Sequence, residues 1–347
     1  MNSQVSRINS FNALEIEKLL GSPILRENVW RINPDSSMSY LETLSGVFQV
    51  NTDIALDFMK VRTHCTPHNS LETIIERSGV GRERVVAYLF SLIEPGVLLG
   101  KKIGNEKLTA KEVASRLEGI ATLWGNELNN LMIVNQVSDE KLTKTVLIGW
   151  LLEMYHYIAD FPKAISFAAR LAEGELAELL SKYSDQETGH EEFIVQALEG
   201  MGLTRSEIIS SRPLASTKAV MLMLRDIFSV HPSAVLVVAH MVEASDIPRE
   251  DLFRLQREIE ERYGLTEGIL EPVFEHQAID AFLGHQKLLT TNRHLLPSAS
   301  LEKLNDLVSK LHDLKHMFEL QTKEIKDYYS NLDGKYFPAQ PIRFLTL

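Results

Sequence analysis

From Thr109 onward, apolar residues recur every three to four positions between short breaks, a period that predicts helices and no strands. The runs lie near 109–134, 139–159, 161–182, 184–200, 204–210, 216–229, 232–244, 248–262, 271–292 and 298–329. Pro162, Pro213, Pro232, Pro248, Pro272 and Pro297 fall at their starts or edges, where a missing backbone N–H is tolerated. Gly202, after Leu198-Glu199-Gly200-Met201, marks a helix stop. No internal repeat is visible.

The first hundred residues have a different texture. Ala13 to Leu20 carries a short helical run, and Asn33-Pro34-Asp35-Ser36-Ser37 reads as a loop. Val47–Asn51 reads as a strand, followed by the apolar-periodic run Ile54, Leu56, Phe58 and Met59. Ser70 is an N-cap for a helix over Leu71–Ser78, which Gly79-Val80-Gly81 breaks. A second helix over Arg82–Ile93 puts Val85, Val86, Leu89 and Leu92 on one face. Pro95-Gly96 ends it, and Val97-Leu98-Leu99 follows as a strand. This order predicts a small winged-helix-like α+β module in a first domain of residues 1–105. A mainly α domain over 106–333 and an irregular tail over 334–347 complete the chain.

Composition narrows the chemistry. A chain of 347 residues can bury two cores, and its formal net charge of -11 argues against nucleic acid as a partner. Arg82 and Arg84 are the only basic cluster on the second helix of the module. No apolar run approaches the roughly 20 residues that span a bilayer, and the N-terminus lacks a signal-peptide core, so a cytoplasmic protein with no membrane partner is expected. Cys65 is the sole cysteine, which rules out an intrachain disulfide or a thiolate cluster. A metal site must therefore use histidine and carboxylate, ligands that suit iron, manganese or zinc.

Such residues pair repeatedly on the predicted helices: Glu153 with His156, Glu187 with His190, His240 with Glu243, and His276 with Asp280, with His285 beyond. Spacings of three or four place both side chains of a pair on one helix face. A single Glu/His pair is more often an exposed hydrogen-bonded couple than a ligand set. The recurrence on successive apolar helices is what points to a metal held between them. A ferritin-like order fails on length. The 31 positions from His156 to Glu187 cannot hold a loop, a Glu-bearing helix, another loop and the ends of two long helices.

Residues 145–285 resemble the haem-oxygenase-like superfamily with its TenA/PqqC-like helical fold, specifically the haem-oxygenase-like di-iron oxidases. The resemblance runs from Trp150-Leu-Leu-Glu-Met-Tyr-His-Tyr-Ile-Ala-Asp-Phe-Pro162 through Asp185-Gln-Glu187-Thr-Gly-His190-Glu-Glu-Phe and Leu198-Glu-Gly-Met-Gly202. A lone glutamate and a His-x-x-x-Asp helix then follow where the family pattern has them. Carried over by position, Glu187, His190, Glu243, His276 and Asp280 are metal ligands. The family's last histidine falls at Leu283, which leaves three readings: His285 binds from a distorted helix, His240 substitutes, or the second ion is weakly held. Residues 47–99 are similar to PqqD-like peptide-recognition domains in Phe48-Gln49-Val50-Asn51, Leu71-Glu72-Thr73-Ile74-Ile75 and Tyr88-Leu89-Phe90-Ser91-Leu92 running into Gly96-Val97-Leu98-Leu99.

The resemblance implies two Fe(II) ions and O2 as co-substrate, in an oxidase or oxygenase acting on an amino-acid-like or peptide substrate in natural-product or cofactor biosynthesis. Glu153 and His156 are the catalytic candidates, lining the substrate cavity or satisfying a core hydrogen bond. Glu153 stands near an acidic residue that holds substrate in the thiaminase-like branch. The N-terminal module would bind a leader peptide, and a homodimer is compatible with the sequence. Two other functions stay open: a metal-independent TenA/PqqC-like enzyme and a non-catalytic partner protein. Tyr155 and Tyr157 read as core, Glu191 and Glu192 as a solvated edge, and His64, His68, His312 and His316 carry no assigned role.

Overall fold

Two small antiparallel sheets lie in the first unit of the computed structural model, which describes residues 24–25, 30–31, 36–43, 46–66, 68–91, 98–99, 107–136, 142–243 and 248–330. The chain divides into Met1–Glu106 and Lys107–Leu347. In the first unit β1 (Ile24–Leu25) pairs with β5 (Leu98–Leu99). A separate three-stranded sheet has the order β2 (Trp30–Arg31), β3 (Met38–Thr43), β4 (Gly46–Asn51), with Met38 opposite Asn51 and Thr43 opposite Gly46.

Three helices follow β4. The run containing Ile54, Phe58 and Met59 is itself helix α1 (Thr52–Arg62), capped by the Asn51 side chain, so the expected strand–helix–turn–helix order gains a helix. Its Ala55, Phe58 and Val61 are buried at a spacing of three, the helical period. In α2 (Leu71–Ser78) Ser70 Oγ accepts from Thr73 N at 3.2 Å, and Gly79 at φ +64 ends the helix. With α3 (Arg82–Ser91) these helices enclose Phe58, Val61, Leu71, Ile74, Val85 and Leu89. Arg82 and Arg84 are paired with Glu72 and Asp57, so this basic couple is already neutralised. The expectations for Ala13–Leu20, Asn33–Asp35, Leu92–Val97 and the 334–347 tail lie outside the described residues.

The second unit is a helical bundle around one long core helix. A two-residue ladder, β6 (Lys107–Leu108) with β7 (Ala299–Ser300), interrupts a stretch expected to lack strands. Helix α4 (Ala110–Leu131) opens on a capping box between Thr109 and Glu112. Helix α5 (Lys144–Leu171) runs straight through Pro162, where a boundary between two helices was expected. Proline removes one backbone hydrogen bond, but Phe161, Ala164, Ile165 and Ala168 are all buried, and packing holds the turn. From α6 (Gly174–Glu187), Ser184 Oγ donates to the carbonyl of Pro162 at 2.9 Å.

Three further boundaries differ from the sequence reading, and each shapes the site. The expected helix 184–200 is divided between α6, which ends at Glu187, and α7 (Glu191–Gly200), with Gly189 at φ +94 in the turn. After α8 (Arg205–Ser210) and α9 (Ala215–Val230), helix α10 (Ala234–Val242) stops one residue short of Glu243. Beyond α11 (Arg249–Arg262), the expected helix 271–292 ends early: α12 (Glu271–Leu283) is stopped by Gly284 at φ +76. A 3-10 turn (His285–Lys287), α13 (Leu288–Thr291), a second 3-10 turn (Arg293–Leu295) and α14 (Leu301–Ser330) complete the bundle. Helix α5 packs against α6, α7, α9 and α14. No helix among the described residues is long and apolar enough to cross a membrane.

Candidate metal centre

Four helix ends and one helix face converge beside α5. Glu187 is the last residue of α6, His190 sits just before α7, Glu243 just after α10, and His285 just after the Gly284 stop. Only His276 and Asp280 project from one helix face, at the i,i+4 spacing of α12. Glu187 and His190 therefore meet across a turn instead of along a helix.

The donors form two groups that share Glu187. In the first, His190 Nδ1 lies 3.4 Å from Glu187 Oε2, 3.6 Å from Asp280 Oδ1 and 3.0 Å from His276 Nε2, which is 3.1 Å from Asp280 Oδ2. In the second, His285 Nδ1 lies 2.9 Å from Glu187 Oε1 and 3.2 Å from Glu243 Oε2. Each group can hold one ion, as Glu187, His190, His276 and Asp280 or as Glu187, Glu243 and His285. Neighbouring donors about 2.1 Å from one ion stand about 3 Å apart at right angles, and these separations are of that size.

Buried lone pairs are the second sign of fit. Glu187 Oε1, Glu243 Oε2, Asp280 Oδ1 and His285 Nδ1 are buried with no hydrogen-bond partner among the described residues. The close His285 contacts lack the alignment that a hydrogen bond needs. Burial this complete is costly for polar atoms unless something else satisfies them. The donor set of imidazoles and carboxylates fits a divalent transition ion.

The electrostatics point the same way. Burial raises the Asp280 carboxyl to about 8, helped by Glu243 and Glu187. His285 loses charge to burial, but the adjacent Glu187 and Glu243 carboxylates outweigh it and lift the imidazole to about 10. Glu187 is pushed up by burial, yet His190 and His285 bring it down to about 2. Glu243 is raised, chiefly by burial. His276 is lowered to about 4 by burial and by His190, so it is a neutral imidazole at pH 7. Without a cation, Asp280 and His285 hold protons at pH 7 beside the ionised Glu187.

Of the two histidines left open for the last position, His285 enters the centre. His240 turns away, with Nδ1 3.0 Å from the Gln286 carbonyl and Nε2 3.0 Å from Thr122 Oγ1. Leu283 is partly exposed. Sequence reasoning missed the supports. Tyr183 donates a short hydrogen bond to Glu243 Oε1 and packs edge-on against His285 at 4.8 Å. Gln186 Oε1 is 3.4 Å from His285 Nε2, and Phe193 stacks on His276. The only sequence clue to Tyr183 is its place one helical turn before Glu187.

A cavity of about 220 Å³ opens on Glu187, Glu243, His276 and Asp280, with walls that include Leu128, Trp150, Phe161, Leu252 and Phe318. It exceeds the roughly 150 Å³ that encloses a benzene. Among the described residues no lysine or arginine lines it. Glu153 does, fully buried, and it accepts from Leu214 N at 3.0 Å and Tyr329 Oη at 3.1 Å. Burial raises its carboxyl while Thr217, Leu214 and Tyr329 pull it back part of the way. His156 does not line the cavity. Its Nε2 is 2.9 Å from Ser211 Oγ, and burial lowers the imidazole to about 4, so of its two expected places it takes the core hydrogen bond.

Residues 121–281, which include all five residues carried over as ligands (Glu187, His190, Glu243, His276 and Asp280), match the model of the TENA/THI-4/PQQC family. No curated protein matches the chain. Among solved structures, a domain of unknown function with a heme oxygenase-like fold from Shewanella denitrificans OS217 is similar, at 21% identity and a TM-score of 0.52 over 64% of this chain and 95% of that one. At that identity the likeness speaks for the fold alone. The helical unit is thus a mainly α bundle with a haem-oxygenase-like fold, and its residues 121–281 are similar to the TENA/THI-4/PQQC family.

Proposed function

We propose that the helical unit is an O2-dependent non-haem iron enzyme that holds two Fe(II) ions and oxidises a small, mainly apolar molecule. Bound ferrous iron would supply the electrons and open positions at which dioxygen reacts. The division of Glu187 carries this reading: Oε2 faces His190 and Oε1 faces His285, so one carboxylate serves both groups of donors. Tyr183 occupies Glu243 Oε1 and leaves Oε2 free to ligate. The apolar walls keep water from the substrate and select it by shape. An anionic head would find no protein cation among the described lining residues.

The cavity's size suits an amino-acid-like molecule or one side chain of a peptide. Leader-peptide binding by residues 1–105 is proposed on the PqqD-like resemblance, and titrating the full chain with a precursor peptide encoded nearby checks it. Anaerobic ferrous loading followed by an oxygen pulse tests the main reading. About two irons per chain and a transient visible band that is lost in Glu243→Ala are expected. Negligible iron would favour a second reading, a metal-free TENA/THI-4/PQQC-type enzyme with Glu153 as its working acid. That alternative is supported by the place of Glu153 in the cavity wall, with a buried carboxyl that burial raises above its ordinary value. A non-catalytic partner protein would require Glu187→Ala and His276→Ala to leave cellular activity intact.

A further inference from the structure

Tyr157 belongs to an aromatic stack on the cavity wall. Its ring stacks on Phe161 at 5.5 Å between centroids and meets Phe318 edge-on at 5.8 Å, and Phe161 meets Tyr183 at 6.1 Å. Phenylalanine would fill the same ring space, as it does at both neighbours. Yet Tyr157 carries a buried hydroxyl with no hydrogen-bond partner among the described residues. Leaving such a group unsatisfied costs free energy, so a merely structural role gives it no reason to be there. Tyr183 makes the contrast, because its hydroxyl is engaged by Glu243.

The surroundings make Tyr157 a donor. It lines the same cavity as Glu187 and Glu243, and burial together with those two carboxylates keeps its phenol protonated. We infer that the Tyr157 hydroxyl is the hydrogen-bond donor for an oxygen-bearing or anionic ligand that enters the cavity on the Glu187–Glu243 side of the centre. This makes Tyr157 a catalytic residue of the reaction proposed above, and the inference rests on that reading.

Tyr157→Phe in the full chain tests it with two readouts. In the metal-free protein the thermal midpoint should stay equal or rise, since the hydroxyl has no partner to lose. In ferrous-loaded protein of equal iron content, azide should bind about tenfold more weakly than to wild type, the loss of one charge-assisted hydrogen bond. A lowered midpoint, or unchanged azide affinity in iron-loaded protein, overturns the inference alone. A wild type that takes up no iron overturns the iron reading and this inference with it.

Discussion

Glu187 Oε1 lies 2.9 Å from His285 Nδ1, joining the end of α6 to the first residue beyond the glycine that stops α12. Because the same carboxylate reaches His190 through its other oxygen, its loss should be felt on both sides of the centre. Glu187→Ala is expected to abolish iron binding. His285→Ala should lower it by about one ion, since Glu187, His190, His276 and Asp280 remain. Iron counted per chain after anaerobic loading decides the matter, and equal losses in the two variants would refute the shared role.

Gly284 sets the position of His285. At φ +76 an alanine is strained by about 1–2 kcal/mol, and relief of that strain would extend α12 and swing His285 off the Glu187–Glu243 side. Gly284→Ala should therefore lose iron as His285→Ala does. Moving the imidazole to the family's position, in a Leu283→His, His285→Leu double variant, should not restore it, because Leu283 lies partly exposed on the helix. Restored loading would show that the turn is dispensable.

These two positions show what the sequence could and could not convey. The His276–Asp280 pair was legible because both lie on one helix, and i,i+4 spacing settles their geometry. Glu187 and His190 are legible in the sequence as candidate ligands but not in their geometry, since Gly189 turns the chain between them. His285 could not be chosen over His240 from spacing. The choice depends on a left-handed residue at 284 and on His240 being held by Gln286 and Thr122, partners remote in sequence. The fold was read more easily than its breaks. Pro162 is a stop by local rules, and only the buried residues around it keep α5 whole.

Metal affinity should rise with pH. In the metal-free centre His285 titrates at about 10 against an ordinary 6.5, and Asp280 at about 8 against 3.8. Both raised values mean that the fold prefers the protonated groups. His285's contribution is full below its ordinary value and is lost as pH rises through about 10. Asp280's buried charge becomes a penalty as pH rises towards 8. Cation binding needs both protons gone, so it tightens across that range. The rise in melting temperature on adding ferrous iron should be larger near pH 8 than near pH 6, measured anaerobically. A flat response would contradict the proton-loaded description.

The approach of α12 depends on Glu260, whose buried carboxylate accepts from Leu270 N at 2.8 Å, Gly268 N at 3.1 Å and Gln256 Nε2 at 3.1 Å. Two of these donors are the backbone just before α12. Glu260→Ala would strand them and should cost about 2–4 kcal/mol in denaturant unfolding. Iron affinity should fall as well, since His276 and Asp280 ride on that helix. A loss below about 1 kcal/mol would show that the loop is held by other means.

Gly149 offers a sharper test of packing behind Glu153. An alanine inside a helix normally stabilises it by about 0.5–1 kcal/mol over glycine. Here a Cβ at 149 would fall on the Tyr329 ring, whose hydroxyl donates to Glu153 Oε1. Displacing a fully buried ring costs about 1–3 kcal/mol, so the clash should win and Gly149→Ala should lower the melting temperature. In a Tyr329→Ala background the ring is absent, and the same substitution should become neutral or stabilising. That reversal of sign follows only if the two residues are in contact. If Gly149→Ala destabilises both backgrounds equally, Tyr329 does not lie against α5 at this position.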